Sequence, residues 1–280
     1  SAFVFKNARK DVRHICYELG VSLVLEGSVR KAGNKVRITT QLVRTDNGFH
    51  IWSENFDRKL DDIFALQDEI SLLVAEKIRE NFGHIYIQDS LVKPQTTSIQ
   101  SYDLFLKGRF FFFTWNLPDI EKAIFYFKKA IDIDPNYSQP YFGVSYCYSL
   151  LGSWKYMDKE EAFQEASHYL SKGSGLGGSS VDQYFSEAVY HFWGFWNYKK
   201  AYKSLQQAHS INSQDADPLD FMAELGRSIG DFGTALTLNS KGLEVNPLSV
   251  NAHFTRATLY YFQSQFEEAL KVIDKGLGLD

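Results

Sequence analysis

The chain has 280 residues, of which 44% are hydrophobic, 16% aromatic and 23% charged, and its formal net charge is −4. This length allows two domains, and the mild charge argues against nucleic acid or a membrane surface as the default partner. The two cysteines, Cys16 and Cys147, form no short-range motif, so a disulfide framework is not expected. No apolar run approaches the roughly 18–20 residues of a membrane span. We expect a cytoplasmic protein, with the periplasm as the alternative compartment.

The beginning of the chain changes from a helical to an alternating pattern. Residues 7–19 place apolar side chains on one helical face, and Gly20 follows as a stop. Alternation then predicts three strands at Val21–Arg30, Lys35–Arg44 and Gly48–Phe56. The connections Ala32-Gly33-Asn34 and Asp46-Asn47-Gly48 are short and rich in turn residues, which predicts an antiparallel meander.

A long helix is predicted to follow the meander. Asp61 or Asp62 can cap its start, and Gly83 ends it. Its apolar face consists of Ile63, Leu66, Ile70, Leu73, Val74 and Ile78. On the middle strand, the residues expected to face the core are Val36, Ile38, Thr40 and Leu42.

This first segment resembles the TolB-type amino-terminal domain. The matching stretches are residues 25–30 (LEGSVR), 52–54 (WSE), 57–58 (DR) and 62–70 (DIFALQDEI). That domain occurs ahead of tetratricopeptide units in bacterial class III adenylate cyclases and helix-turn-helix regulators. Residues 1–84 resemble only its second part, since nothing here matches the family's opening strand and first helix. The resemblance therefore implies an exposed strand edge, which either pairs in a homodimer or is covered by the helix at 7–19.

Residues 85–99 are interpreted as a linker, and repeats are predicted for residues 100–280. Ala201, Ala235 and Ala269 are spaced 34 residues apart. This spacing resembles that of tetratricopeptide repeats, pairs of antiparallel helices that stack because one pair cannot bury its apolar faces alone. The same signature of small, aromatic and proline residues appears at Ala123, Phe127, Ala130 and Pro135. About five units are expected, with a looser pattern between Ser153 and Ser180 and a last unit that is cut short.

The predicted fold class is therefore mainly α. It is a tetratricopeptide α-solenoid preceded by a small α/β domain, whose antiparallel three-stranded meander is flanked by helices.

The sequence carries no recognised catalytic or cofactor signature. Residues 173–178 contain a formal G-x-G-x-x-G, but a helical pattern rather than a strand precedes it, so we interpret it as a loop between repeat helices. The seven histidines form no H-x-x-x-H or H-x-H pair and lie near neither cysteine. We expect no metal, no cofactor and no enzymatic activity in this chain.

The concave surface of the repeats is the predicted partner-binding groove. Counting along the first helix of each unit that could be assigned, we expect the inner face to carry Tyr102, Phe105, Arg109, Phe112, Phe142, Tyr146, Asp220, Glu224, Arg227, Phe254 and Tyr261. This groove is aromatic at one end and charged at the other. For any single member, packing in the interior is an equally good interpretation.

These patterns favour a non-catalytic regulatory or protein-interaction region of a bacterial signalling protein. That protein would be either cyclase-like or a transcription regulator. The solenoid groove would bind a partner peptide or helix. The alternative is a freestanding envelope assembly scaffold without an output domain. Basic residues of the meander, such as Arg37 and Arg44, lie where an exposed sheet face needs charge, so no nucleic-acid or membrane contact is expected of this chain.

Overall fold

The structure of the chain, a computed structural model, describes residues 21–44, 48–59, 63–82, 96–114, 116–177 and 179–277. They fall into two compact units, one within Ala2–Ile99 and one within Gln100–Asp280. Some predicted features lie outside the described residues. These are the helix at 7–19, the caps Asp61 and Asp62, and most of the linker.

The first unit contains the predicted antiparallel meander, which is confirmed. Its strands are β1 (Leu23–Ala32), β2 (Lys35–Arg44) and β3 (His50–Lys59), in the order β1-β2-β3. Ala32 pairs with Lys35 across the first turn, where Gly33 has a φ of 61°. A residue with a side chain rarely adopts this backbone conformation, so glycine suits the tight turn.

Helix α1 (Ile63–Phe82) packs on one face of the sheet. Val36, Phe56 and Leu66 meet there and are at most 2% exposed. Alternation along β2 explains the arrangement, since Val36 and Leu42 point towards the core while Arg37 points away. On the opposite face Arg37 donates two hydrogen bonds to Asp57, at 2.7 and 2.8 Å. The charge of Arg37 is thus paired within the sheet.

Strand β1 is an edge strand among the described residues, because it pairs only with β2. Leu25 and Val29 lie opposite Leu42 and Ile38, and they are 48% and 67% exposed. An edge of this kind offers unpaired backbone groups beside apolar side chains.

The second unit is a series of helix pairs in which the first and second helices alternate, and it confirms the predicted solenoid. The helices are α2 (Ile99–Phe112), α3 (Leu117–Ile133), α4 (Ser138–Ser153), α5 (Lys159–Gly175), α6 (Val181–Val189), α7 (Tyr198–Ile211), α8 (Asp217–Ser228), α9 (Phe232–Val245), α10 (Val250–Phe262) and α11 (Phe266–Leu277). Side-chain caps begin several of them. Ser180, for example, accepts a hydrogen bond from the backbone N–H of Gln183 at 3.1 Å.

Small residues set the distance between the two helices of a pair. Ala201 and Ala235 are 0% exposed and Ala269 is 5% exposed. A Cβ atom placed on Gly226 of α8 would lie 3.1 Å from the Cβ atom of Ala235 on α9. In the second pair, the corresponding distance from Gly152 to Ala162 is 2.8 Å. Helix α9 therefore crosses α8 at Ala235, as the repeat spacing predicts.

The glycine-rich run at residues 173–178 differs from the expectation of a loop. Helix α5 continues to Gly175, so the first three residues of the run are helical. Gly173 is buried, and a Cβ atom there would lie 2.7 Å from the ring of Phe142. Glycine is needed at this position for close helix packing. The chain leaves the helix only afterwards, where Gly177 has a φ of 83°.

The crossing at Ala235 generates a stability prediction. We expect Ala235→Leu to lower the free energy of unfolding by about 1–3 kcal/mol, because the added atoms must displace Gly226 and its helix. Urea unfolding followed by circular dichroism measures this change. Lys241→Leu on the exposed side of the same helix is the control, with an expected change within about 0.5 kcal/mol. Equal stability of Ala235→Leu and the parent would show that the crossing is elsewhere.

The edge strand generates a second prediction. We expect the chain to self-associate at tens of micromolar in sedimentation velocity, because pairing two β1 edges satisfies their backbone groups. Val24→Lys should shift the chain towards monomer, since it places a charge in the seam. Val250→Lys, the same change at an exposed site of the second unit, should leave the association intact. A monomeric parent at this concentration would contradict the prediction.

Candidate functional site: a groove on the first helices

A groove of about 580 Å³ lies on the second unit. Most of its lining comes from the first helices of the five pairs, α2, α4, α6, α8 and α10. Because successive pairs stack in the same orientation, residues at the same turn of each first helix become neighbours. The groove is therefore built from rows of side chains that run across the helices.

One of these rows is aromatic. The ring centroids of Phe112 and Tyr146 are 4.7 Å apart, those of Tyr146 and Phe185 5.6 Å, and those of Phe185 and Phe221 5.4 Å. Trp193 joins the row from the side, at 5.9 Å from Tyr146 and 5.7 Å from Phe221. We call these five residues the aromatic row. It provides a continuous apolar wall across four first helices.

A short π-helical turn, Tyr190–Gly194, brings Trp193 to this wall. The turn follows directly on α6, so the third pair departs from the regular pattern of the others. A Cβ atom on Gly194 would lie 2.7 Å from the ring of Phe163, which is why glycine is required there. Trp196 follows with a φ of 52°, an uncommon conformation for a residue with a side chain. Such turns are frequent at functional sites in other proteins.

A second row is acidic and lies about one helical turn before the aromatic row. We define the acidic row as Asp182, at the start of α6, Asp217 and Asp220, at the start of α8, and Asp215, two residues before α8. Carboxylates are favoured at helix N-termini, where the backbone N–H groups are partly positive. Asp182 also accepts a hydrogen bond of 2.8 Å from the side chain of Gln139 on α4.

The groove environment raises the free-energy cost of ionising three members of the acidic row. Burial raises the pKa of Asp182, and the charge of Arg109 and the bond from Gln139 oppose the rise only in part. Solvent reaches Asp217 from the groove, but the surrounding walls and the charge of Asp215 raise its pKa to about 6. For Asp220, burial and the charge of Asp217 raise the pKa to about 7.

Asp220 is the most enclosed member of the row, with 9% of its surface exposed. Its Oδ1 atom has no hydrogen-bond partner among the described residues, and its Oδ2 atom lies 3.4 Å from the Ser249 hydroxyl. The Oδ1 atom fits against α9 because residue 242 is a glycine. A Cβ atom on Gly242 would lie 2.4 Å from this oxygen. The fold thus holds a carboxyl group in a place that does not stabilise its charge.

The groove has two guanidinium groups, Arg109 on α2 and Arg227 on α8. Arg109 is exposed on α2, and its guanidinium lies 5.5 Å from the ring centre of Phe113. Arg227 binds Glu224 on the same helix through two hydrogen bonds and lies 5.3 Å above Phe262. The groove is thus lined by five carboxyl groups and two guanidinium groups.

Nine of the eleven residues predicted for the inner face line this groove: Phe105, Arg109, Phe112, Phe142, Tyr146, Asp220, Glu224, Arg227 and Phe254. Phe105, Phe112 and Phe142 are at most 7% exposed, so they form the floor and belong to the core as well. Tyr102 and Tyr261 do not line the groove. Tyr102 packs against the core around Phe105, and Tyr261 lies beside Phe266 at the other end of the unit. A partner-binding role for these residues stays a prediction.

Sequence reasoning missed the groove residues of the third pair. Asp182 and Phe185 were not assigned to the inner face, because no first helix was recognised after the glycine-rich run. The signal was present in Ser180, a capping residue that directly precedes an amphipathic segment. Asp217 and Phe221 were missed for a different reason, since only one stripe of α8 was counted.

Other kinds of site have little support within the described part of the chain. No group of three His, Cys, Asp or Glu residues is arranged there to hold a metal ion. Cys147 is buried in α4, and burial raises the pKa of its thiol. None of the helices that the structure describes is long and apolar enough to span a bilayer.

Comparison with known proteins finds one family profile and several solved structures of repeat proteins. The tetratricopeptide repeat profile matches residues 115–137, which contain helix α3. The second unit is a tetratricopeptide-like solenoid. Among solved structures, a thermophilic TPR protein of Thermus thermophilus is 18% identical with a TM-score of 0.48, over 75% of this chain and 94% of that one. PilF of Pseudomonas aeruginosa is 13% identical with a TM-score of 0.47, over 63% of this chain and 76% of that one.

One curated relative is named "Putative adenylate cyclase 3", from Rhizobium meliloti (strain 1021). The identity is 33% over 147 residues, which are 52% of this chain and 24% of the relative. The chain thus spans about a quarter of the length of that protein.

The raised pKa of Asp220 generates a pH prediction. A carboxyl group whose pKa is higher in the folded than in the unfolded chain stabilises the fold at low pH, and this contribution is lost as the pH rises through the folded pKa. Asp220→Asn removes the ionisation. We therefore expect this variant to be more stable than the parent by roughly 1–3 kcal/mol at pH 8 and no more stable near pH 4.

Urea unfolding at pH 8, 6 and 4.5 checks this expectation. Asp103→Asn, at an exposed position of α2 outside the groove, should give no such trend. A difference between Asp220→Asn and the parent that does not change with pH would contradict the assigned environment.

Proposed function

We propose that this chain is a non-catalytic regulatory region of a bacterial signalling protein, and that its groove binds a segment of a partner protein. The observation that carries the proposal is the aromatic row, which forms a continuous wall in a groove of about 580 Å³. Aromatic side chains dominate the binding energy of many protein interfaces, because they bury a large area with few rotatable bonds.

The shape of the groove supports a peptide-like ligand. Phe113 and Phe254 line its two ends and are 53% and 68% exposed, while the aromatic row between them is half-buried or buried. An elongated segment could contact both ends and the wall at once. Helical repeats commonly bind extended segments or helices on such concave surfaces.

The signalling context rests on two likenesses. The first unit resembles the second part of a TolB-type domain through residues 25–30 and 62–70. The other likeness is to the curated relative that carries an adenylate cyclase name. We therefore propose that the first unit relays a signal or mediates assembly, while the solenoid recognises the partner. An output activity would reside in another part of a longer protein.

Peptide selection tests the binding function. A displayed library of random peptides is selected against the parent, and the affinities of the enriched peptides are measured by fluorescence polarisation. We expect Phe113→Ala combined with Phe254→Ala to weaken them at least about tenfold, because each ring lines the groove. The matched control is Phe110→Ala combined with Phe125→Ala. These two phenylalanines are 69% and 55% exposed and lie outside the groove.

Two results would contradict the proposal. One is the absence of any peptide enriched on the parent over an unrelated helical protein. The other is an equal loss of affinity in the groove pair and the control pair, which would place the binding surface elsewhere.

A further inference from the structure

The middle of the groove has more negative charge than its own cations neutralise. Arg227 is already paired with Glu224, and Arg109 lies over aromatic rings, from where its charge offsets only part of the rise in the pKa of Asp182 and Asp217. Among the described residues, no nitrogen of Lys, Arg or His forms an ion pair with Asp182, Asp215 or Asp217. The centre of the groove therefore has a negative potential, and concave walls of low dielectric constant strengthen such a potential.

Asp220, a member of the acidic row, lies in surroundings that do not stabilise a negative charge. Its side chain lines the groove, is 9% exposed and has a buried Oδ1 atom without a partner among the described residues. A buried carboxylate with one oxygen lacking a hydrogen bond is costly to ionise, and burial together with the charge of Asp217 raises the pKa of Asp220 to about 7. A positive charge above Asp217 would reduce this cost for the whole row.

The aromatic row lies directly beside the acidic row. Asp182 precedes Phe185 by three residues on α6, and Asp217 precedes Phe221 by four on α8. Side chains at these separations lie on the same side of a helix, about 5–6 Å apart. A ligand that contacts both rows therefore needs a charged group and an apolar group separated by about the same distance as the two rows. In an extended peptide, residues i and i+2 are about 7 Å apart on one face.

We propose that the groove recognises a segment of a partner protein that carries a lysine or arginine close to a large apolar residue. The cation lies between Asp182 and Asp217, with Asp220 beneath them, and the apolar side chain packs on Tyr146, Phe185 and Phe221. This inference rests on the proposed function, since it specifies the ligand of the same groove. Segments with an acidic residue at the same place are repelled by the acidic row.

The parent protein alone provides the first test. Three pools of short peptides are identical except at one central position, which is lysine, norleucine or glutamate, followed two residues later by leucine or phenylalanine. Fluorescence polarisation should show that the lysine pool binds at least about tenfold more tightly than the norleucine pool, and that the glutamate pool binds most weakly. Raising the ionic strength from about 0.05 M to about 0.5 M should weaken only the preference for lysine.

A charge-neutral variant provides the second test. Asp182→Asn combined with Asp217→Asn keeps the shape of both side chains and removes their charges. We expect the affinity for the lysine pool to fall about tenfold and the affinity for the norleucine pool to stay unchanged. The unchanged norleucine affinity shows that the groove is still folded. The control pair, Asp103→Asn with Asp274→Asn, changes two exposed aspartates outside the groove and should alter neither affinity.

The outcomes separate this inference from the proposed function. If all pools bind equally well and all lose affinity in the Phe113→Ala and Phe254→Ala variant, the groove binds segments but the preference for a cation is wrong. Tighter binding of the glutamate pool would also overturn it. If no pool binds and peptide selection fails, both proposals are wrong.

Discussion

The groove depends on the contact of small residues between paired helices. Where Gly226 faces Ala235, and where Gly152 faces Ala162, the two backbones approach more closely than larger side chains permit. This contact fixes how the two helices of a pair cross, and its repetition fixes how one pair stacks on the next. The first helices then lie side by side with matching turns at the same height. Rows of similar side chains across α4, α6 and α8 follow from this geometry.

Charge at the start of the first helices makes one of these rows unusual. An aspartate in the first turn is favourable to an isolated helix because of the partly positive N-terminus. In the stacked array, Asp182, Asp217 and Asp220 come close to one another in a groove, and the pKa of each is raised by partial desolvation and, for Asp217 and Asp220, by the charge of a neighbouring carboxylate. The Oδ1 atom of Asp220 lacks a hydrogen bond among the described residues, and such unsatisfied buried groups destabilise a fold. Perturbed carboxyl groups of this kind are typical of sites where a ligand supplies the missing interaction.

Much of this architecture could be predicted from the sequence, because it follows from local periodicity. Alternation predicted the meander, and the 34-residue spacing of Ala201 and Ala235 predicted the helix pairs. Nine of the residues that were counted along the recognised first helices line the groove, whereas Tyr102 and Tyr261, at the two ends of the array, lie away from it. The third pair could not be predicted in this way. Its glycine-rich run is half helical, and counting at 3.6 residues per turn fails across a π-helical turn.

The irregular third pair is also what makes the aromatic row continuous. The π-helical turn shifts the side chains that follow α6 relative to a regular helix, and Trp193 thereby reaches both Tyr146 and Phe221. Two constraints accompany the turn, the obligatory glycine at 194 and the left-handed backbone of Trp196. Left-handed residues with side chains cost about 1–3 kcal/mol and persist where the surrounding structure enforces them. Left-handed residues also follow the first helices of other pairs, at Lys155, Gly230 and Ser264, so the turn at Trp196 keeps a feature of the regular repeat. Gly194 and Trp196 lie within three residues of Trp193, so both constraints act next to the surface that we propose for binding.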